Sequence, residues 1–259
     1  MKFVRYKVAG VACLATSWVW AEVPEAAISA DIIILGEIHD NPTHHAEQLT
    51  FIQALDPKAV VYEMLTKAEA HALADIPKDS GAIIAATSGF HWSNIADYAG
   101  LISASDVVVG AALPRESVRD AFSNGAAGVF GTDAALFGLL DALPPDQQAA
   151  REDLQFAAHC DAMPRNLMSG MVEAQRLRDA HFARVVLQSF ETYGAPIVLI
   201  TGNGHARKDW GVPAVLQVVR PDLTVFTLGQ GEDSALAGGF DAVETAPAPE
   251  RGDPCAAFR

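Results

Sequence analysis

The stretch Asp31-Ile32-Ile33-Ile34-Leu35-Gly36-Glu37-Ile38-His39-Asp40 is an apolar run that stops at a glycine and turns polar. A strand with one wet face alternates apolar and polar residues. A run without alternation is buried on both faces, the mark of a strand inside a parallel sheet with helices above and below. A second stretch, Ile197-Val198-Leu199-Ile200-Thr201-Gly202-Asn203-Gly204-His205, has the same form. Polar groups just past the carboxyl ends of such strands share one crevice, so Glu37, His39 and His205 are predicted to meet there despite their separation.

Val- and Ile-rich runs recur at 31–35, 59–62, 106–110, 196–201 and 223–228, with helical patterns at 43–54, 67–74, 93–103 and 115–123 between them. The fold class is therefore α/β, a mostly parallel sheet flanked by helices, built from residues 22–123 and 195–245. The long connection 124–194 reads as helical, with Pro144-Pro145-Asp146 opening one helix. Met163-Pro164-Arg165 opens a longer one whose stripe is Leu167, Met171, Ala174, Leu177, Ala180 and Val185. It is predicted to form an inserted helical cap over the carboxyl edge of the sheet, and 246–259 is a Pro-rich tail.

Half of the 259 residues are apolar, enough for a full core. Lys2, Arg5 and Lys7 precede an apolar segment and Val19-Trp20-Ala21, a secretory signal peptide over 1–21 cleaved after Ala21. Its apolar part, about 13 residues, is too short to span a bilayer. The expected location is the periplasm or cell envelope. A lipid anchor on Cys13 is not favoured, because Gly10-Val11-Ala12 before it lacks the usual leucine. Cleavage removes three bases and no acid, taking the net charge from −14 to −17, which argues against nucleic acid and anionic membrane surfaces as partners. It leaves Cys160 and Cys255, predicted to pair in an oxidising compartment. That bond closes a loop of about 95 residues and stabilises by about 3–5 kcal/mol in the loop-entropy picture.

Glu37 and His39 project to the same side if their turn stays extended. Glu63 ends the apolar run Val60-Val61-Tyr62, where a carboxylate needs a cation, a donor or water. His205 follows a Gly-Asn-Gly turn whose glycines allow close approach to a ligand. Two carboxylates and two imidazoles from three strand ends suit a divalent metal, zinc or manganese, with Glu37, His39, Glu63 and His205 as ligands. An acid–His pair can equally be structural, with Glu37 and His39 paired to each other or to Arg207. His44 and His45 fall in a first helical turn and are expected to be solvated; His159 and His181 are expected to be structural. Ser88 and Ser117 lack a nucleophile-elbow context, and Gly202-Asn203-Gly204 is not a dinucleotide fingerprint.

Taken together, Ile34 to Asn41, Tyr62-Glu63-Met64, Trp92 to Tyr98, Pro114-Arg115-Glu116, Met171 to Ala180 and Thr201 to Arg207 resemble the ChaN-type haem-binding uptake proteins. The match runs in order along nearly the whole chain after the leader. The resemblance implies a parallel-sheet domain with a smaller helical domain and a role in bacterial haem and iron acquisition beside membrane uptake machinery. It also implies haem in a pocket that a homodimer completes. On that reading Tyr98 is the expected axial ligand and Tyr62 the second choice, with Arg176, Arg207 and Lys208 facing the propionates. No Cys-x-x-Cys-His segment occurs, so haem is held without covalent bonds. The family is similar in turn to Tiki-type metalloproteases, which implies an alternative: a metal-dependent hydrolase with Glu37 or Glu63 as general base.

Overall fold

The computed structural model describes residues 23–233, 236–253 and 255–256; the expected leader lies outside them. Six strands form one sheet: β1 (Ile32–Glu37), β2 (Ala59–Tyr62), β3 (Val108–Gly110), β4 (Ile197–Gly202), β5 (Val225–Glu232) and β6 (Ala242–Ala246). Their order is β3-β2-β4-β1-β5-β6 and every pairing is parallel. The α/β class is as expected. β1 lies between β4 and β5, pairing Ile32 with Ile197 and with Val225.

Both faces of the central strands are dry. Ile33 and Leu35 pack with Val60, Tyr62, Val198 and Ile200 beneath the helices Pro42–Leu55 and Ala99–Ala104. Ile32 and Ile34 pack on the opposite face with Val61, Leu199, Ala183 and Val186, the last two from the long helix Met168–Tyr193. That is why β1 does not alternate. The carboxyl-terminal half of the long helix thus lies on the sheet, and the helices Arg115–Asn124 and Pro145–Ala158 pack along it.

β6 is the strand that sequence periodicity does not reveal. It is a short edge strand, Ala-Val-Glu-Thr-Ala, mostly half-buried or exposed, so its order comes from pairing with β5 rather than from an apolar run. Cys160 and Cys255 sit with Cα atoms 5.6 Å apart, within reach of a disulfide. Among the described residues no helix is long and apolar enough to cross a membrane.

Two turns at the carboxyl edge set the site. After β1, Asn41 caps the Pro42–Leu55 helix by accepting the Thr43 N–H at 2.9 Å, with Pro42 in the first turn. Its amide nitrogen also donates to Glu232 at 2.8 Å and to the Pro247 carbonyl at 3.0 Å. After β4, Asn203 bridges to β5, donating to the Gln230 carbonyl at 2.7 Å and accepting the Gln230 N–H at 3.0 Å. The two turns meet at Gly36, where a Cβ would lie 2.7 Å from Asn203 Oδ1 and 2.8 Å from Ala206 Cβ. Gly36→Ala is therefore expected to cost about 1–3 kcal/mol in urea unfolding, as overpacking does. An unchanged midpoint would show that the two turns are not in such close contact.

Candidate functional site

Glu37 ends the central strand with only 2% of its surface exposed. A buried carboxylate must be satisfied internally. It accepts Tyr98 Oη–H at 2.5 Å, His39 Nδ1–H at 2.8 Å and Gln48 Nε2–H at 2.8 Å, and His45 Nε2 stands 3.4 Å away. Burial pushes its pKa up, but the hydrogen bonds and charges of His39 and His45 outweigh that and hold it at about 2. The Glu37–His39 pairing expected from sequence is present, whereas Arg207 is elsewhere.

His39 turns its other edge toward solvent, with its side chain 31% exposed. A Cβ on Gly202 would come within 3.1 Å of its Nε2 and 3.9 Å of Glu63 Oε2, so a glycine keeps this space open. Trp92 meets the His39 ring edge-on at 5.0 Å. Burial lowers the His39 pKa, but the bond to Glu37 and the charges of Glu63, Glu37 and Asp40 raise it on balance.

Across the crevice, His205 Nδ1 bonds Asp179 Oδ1 at 2.6 Å, and its Nε2 lies 3.8 Å from Glu63 Oε1. Glu63 accepts Thr201 Oγ1–H at 2.6 Å and the Gly202 N–H at 2.8 Å. Burial lowers the His205 pKa; the Glu63 and Asp179 charges raise it above the usual value. Burial raises the Glu63 pKa, but the charges of His205 and His39 and its two hydrogen bonds bring it below the ordinary carboxylate value.

His39, Glu63 and His205 thus form the polar floor of a crevice of about 590 Å³, open to solvent on one side. Trp92, Leu113, Val118 and Phe182 supply apolar wall, and Arg115, Arg119 and Arg178 supply cationic rim. Among the described residues neither Arg115 nor Arg119 has an ion pair or hydrogen bond through its guanidinium. Arg178 has only a long contact, 3.5 Å, to Gln175.

Several expected site residues stand elsewhere. Tyr98 is fully buried beneath Glu37, and burial and that carboxylate push its pKa above the usual phenol range. Tyr62 is fully buried with its hydroxyl 2.8 Å from Ser105. Arg176 is held by Glu173 and by the carbonyls of Gly138 and Asp141. Arg207 stacks on Trp210 and forks onto Asp209, and Lys208 pairs with Asp241. Glu37 faces away from the crevice, and among the described residues no group of three or more His, Cys, Asp or Glu is disposed to hold a metal ion. The donor set therefore does not fit the expected four-ligand metal centre.

His44 and His45 are a correction: both are buried, not solvated. His44 accepts the Ile38 N–H at 3.1 Å and donates to the Gly231 carbonyl at 3.1 Å, bracing the turn that carries His39. Asp179 went unassigned in the sequence although its signal is there. It shares a helical face with Val172, Ala183 and Val186, an acid on a buried stripe.

The fold and crevice define a parallel α/β protein with an open crevice at the carboxyl ends of its central strands, where such folds bind ligands. The profile of the haem-binding uptake family, Tiki superfamily, ChaN, matches residues 23–216, and the chain belongs to that family. The Campylobacter jejuni ChaN structure, described as cofacial haem binding, shares the fold: TM-score 0.61 at 18% identity, over 80% of this chain and 84% of that one. The type III effector HopBA1 (TM-score 0.41, 12% identity, 86% and 90% covered) and the erythromycin esterase EreC H289N (0.43, 14%, 80% and 71%) are too remote to bear on function. No curated protein sequence matches.

The His205 pKa, raised above 6.5, ties the Asp179 contact to pH. A raised His pKa gives stability that is fully present below the unfolded value and is lost as pH rises through the folded one. Burial also holds the Asp179 pKa above the usual carboxylate value, so Asp179→Asn is expected to lower stability most near about pH 6, between the two titrations, and less on the alkaline side of the His205 titration, read from urea midpoints. An equal loss at both ends would show that the contact does not hold the His205 proton.

Proposed function

We propose that the protein is exported and carries haem non-covalently in this crevice, as a binding component of bacterial haem and iron acquisition. The observation that carries the reading is the combination at one strand edge of a crevice with apolar walls, rim arginines that have no ion pair among the described residues, and an imidazole already oriented by a carboxylate. About 590 Å³ suits a large flat ligand, since ligand crevices run to roughly 300–1,000 Å³. Arg115, Arg119 and Arg178 offer charge to carboxylate substituents.

His39 is the group best placed to meet iron. Its Nδ1–H is given to Glu37, the arrangement metal-ligating histidines favour, and its Nε2 edge faces the crevice. The iron-ligand role expected of Tyr98 would fall to His39, because the Tyr98 hydroxyl is fully buried and donated to Glu37. Haem, when bound, would supply an iron able to take an imidazole ligand, with His39 as that ligand, Trp92 and Phe182 as walls and the rim arginines as counter-charge. The open side leaves room for a second copy to complete the pocket, in keeping with the cofacial haem binding named for the Campylobacter jejuni protein. Export accords with the apposed Cys160 and Cys255. Metal-dependent hydrolysis has less support, since Glu37 is committed to Tyr98, His39 and Gln48.

Haemin titrated into the chain from residue 22 onward is expected to give a saturable, shifted Soret band. His39→Ala should alter that band and weaken binding by roughly tenfold or more, whereas Tyr98→Phe should retain the ligation pattern. An unchanged band in His39→Ala removes it as ligand, and no band at all removes the haem reading. The same protein, unfolded without reductant, is expected to show no free thiol; two titratable thiols would count against an oxidising compartment.

A further inference from the structure

Beside the crevice, and sharing Gln175, Gly204 and His205 with it, lies a smaller chamber of about 60 Å³ lined also by Gln155, Asp179, Trp210 and Arg151. This is several times the roughly 10–15 Å³ that admits one water. Arg151 comes from the Pro145–Ala158 helix and is 9% exposed, so its guanidinium is a buried cation. Its Nη2 donates to Gln147 Oε1 at 3.1 Å and to the Trp210 carbonyl at 3.2 Å, both neutral acceptors. Its Nε is buried with no hydrogen-bond partner. Among the described residues no carboxylate is in direct contact with it; Asp179, which also lines the chamber and whose charge acts on Arg151, is committed to His205 at 2.6 Å.

A buried guanidinium is ordinarily paired, because desolvating a charge is costly unless an opposite charge or full hydrogen bonding compensates. This one keeps an unused donor, its Nε–H, and its side chain borders a cavity large enough for a small group. The amides of Gln155 and Gln175 add polar lining, and Trp210 adds an apolar side. Gly204 lines both the crevice and the chamber, and an added Cβ there would meet nothing within 4 Å.

We propose that this chamber is a carboxylate-binding site, with Arg151 as its charged donor. The carboxylate comes either from a propionate of haem in the adjoining crevice or from a free small acid. The first source rests on the proposed haem reading; the chamber itself does not. Arg151 then differs from the rim arginines, because it holds a carboxylate out of water, where a charge-assisted bond is strongest.

Formate titrated into the haem-free protein tests the chamber directly, read by the Arg151 Nε–H resonance, which is assigned by its loss in Arg151→Lys. A saturable shift is expected. In parallel, haemin and haemin dimethyl ester are titrated into the wild type and Arg151→Gln, each first shown to be folded by circular dichroism. The propionate source predicts about tenfold weaker haemin binding in Arg151→Gln, unchanged ester binding, and no formate shift once haemin is bound. A formate shift that survives haemin loading, or appears in a protein that binds no haemin, assigns the chamber to a free carboxylate. In the latter case the haem reading falls while the site stands. No formate shift, together with haemin affinity that is absent or equal in the two proteins, overturns the proposal and leaves the chamber to water.

Discussion

A carboxylate at the end of the central strand is shut away from solvent, and much of the carboxyl edge of the sheet is arranged to satisfy it. Glu37 draws Tyr98 from the segment before the Ala99–Ala104 helix, Gln48 and His45 from the Pro42–Leu55 helix, and His39 from its own turn. Each partner gives up freedom to reach it, so the helices covering that face and the imidazole facing the crevice are fixed by one group. Its low pKa follows from the same contacts: the charged form is the one surrounded by donors.

The opposite wall repeats the device with different residues. Asp179 reaches from the long helix to His205 Nδ1, as Glu37 reaches His39 Nδ1, so both imidazoles have one nitrogen held from behind and the other turned toward Glu63 and the crevice. Glu63 between them is tied to Thr201 and the Gly202 N–H. The result is a rigid polar floor whose exposed groups are set by buried ones. Rigidity of this kind suits a binding site, since little order remains to be imposed when the ligand arrives.

Charge is distributed unevenly across this acidic protein. A chain of net charge −14 places three arginines around one crevice and a fourth buried behind it, where the lining acids, Glu63 and Asp179, are already bonded to other groups. Several bases elsewhere are paired: Arg207 with Asp209, Lys208 with Asp241, Arg220 with Asp222, and Arg251 with Asp40 and Glu232. Local positive charge in an acidic surround accords with the anionic ligand proposed above and does not invite nucleic acid.

The apolar runs ending at Gly36 and Thr201 determined the parallel sheet and the position of the crevice, because a strand buried on both faces leaves its pattern in consecutive residues. The proximity of Glu37 and His39 was equally legible, being two residues apart. β6 was not, since an edge strand buries too little to mark the sequence. Nor could the sequence decide which polar groups face the crevice. Tyr98 instead of solvent-facing ligand became a buried donor, Asp179 became the partner of His205, and the arginines exchanged places, Arg176 and Arg207 taking internal partners while Arg115, Arg119 and Arg151 were left to the cavities. Those outcomes depend on contacts between residues up to 61 positions apart for Tyr98 and Glu37 and 26 for His205 and Asp179. A hydrogen bond depends on distance and direction in space, and only the packed chain supplies both.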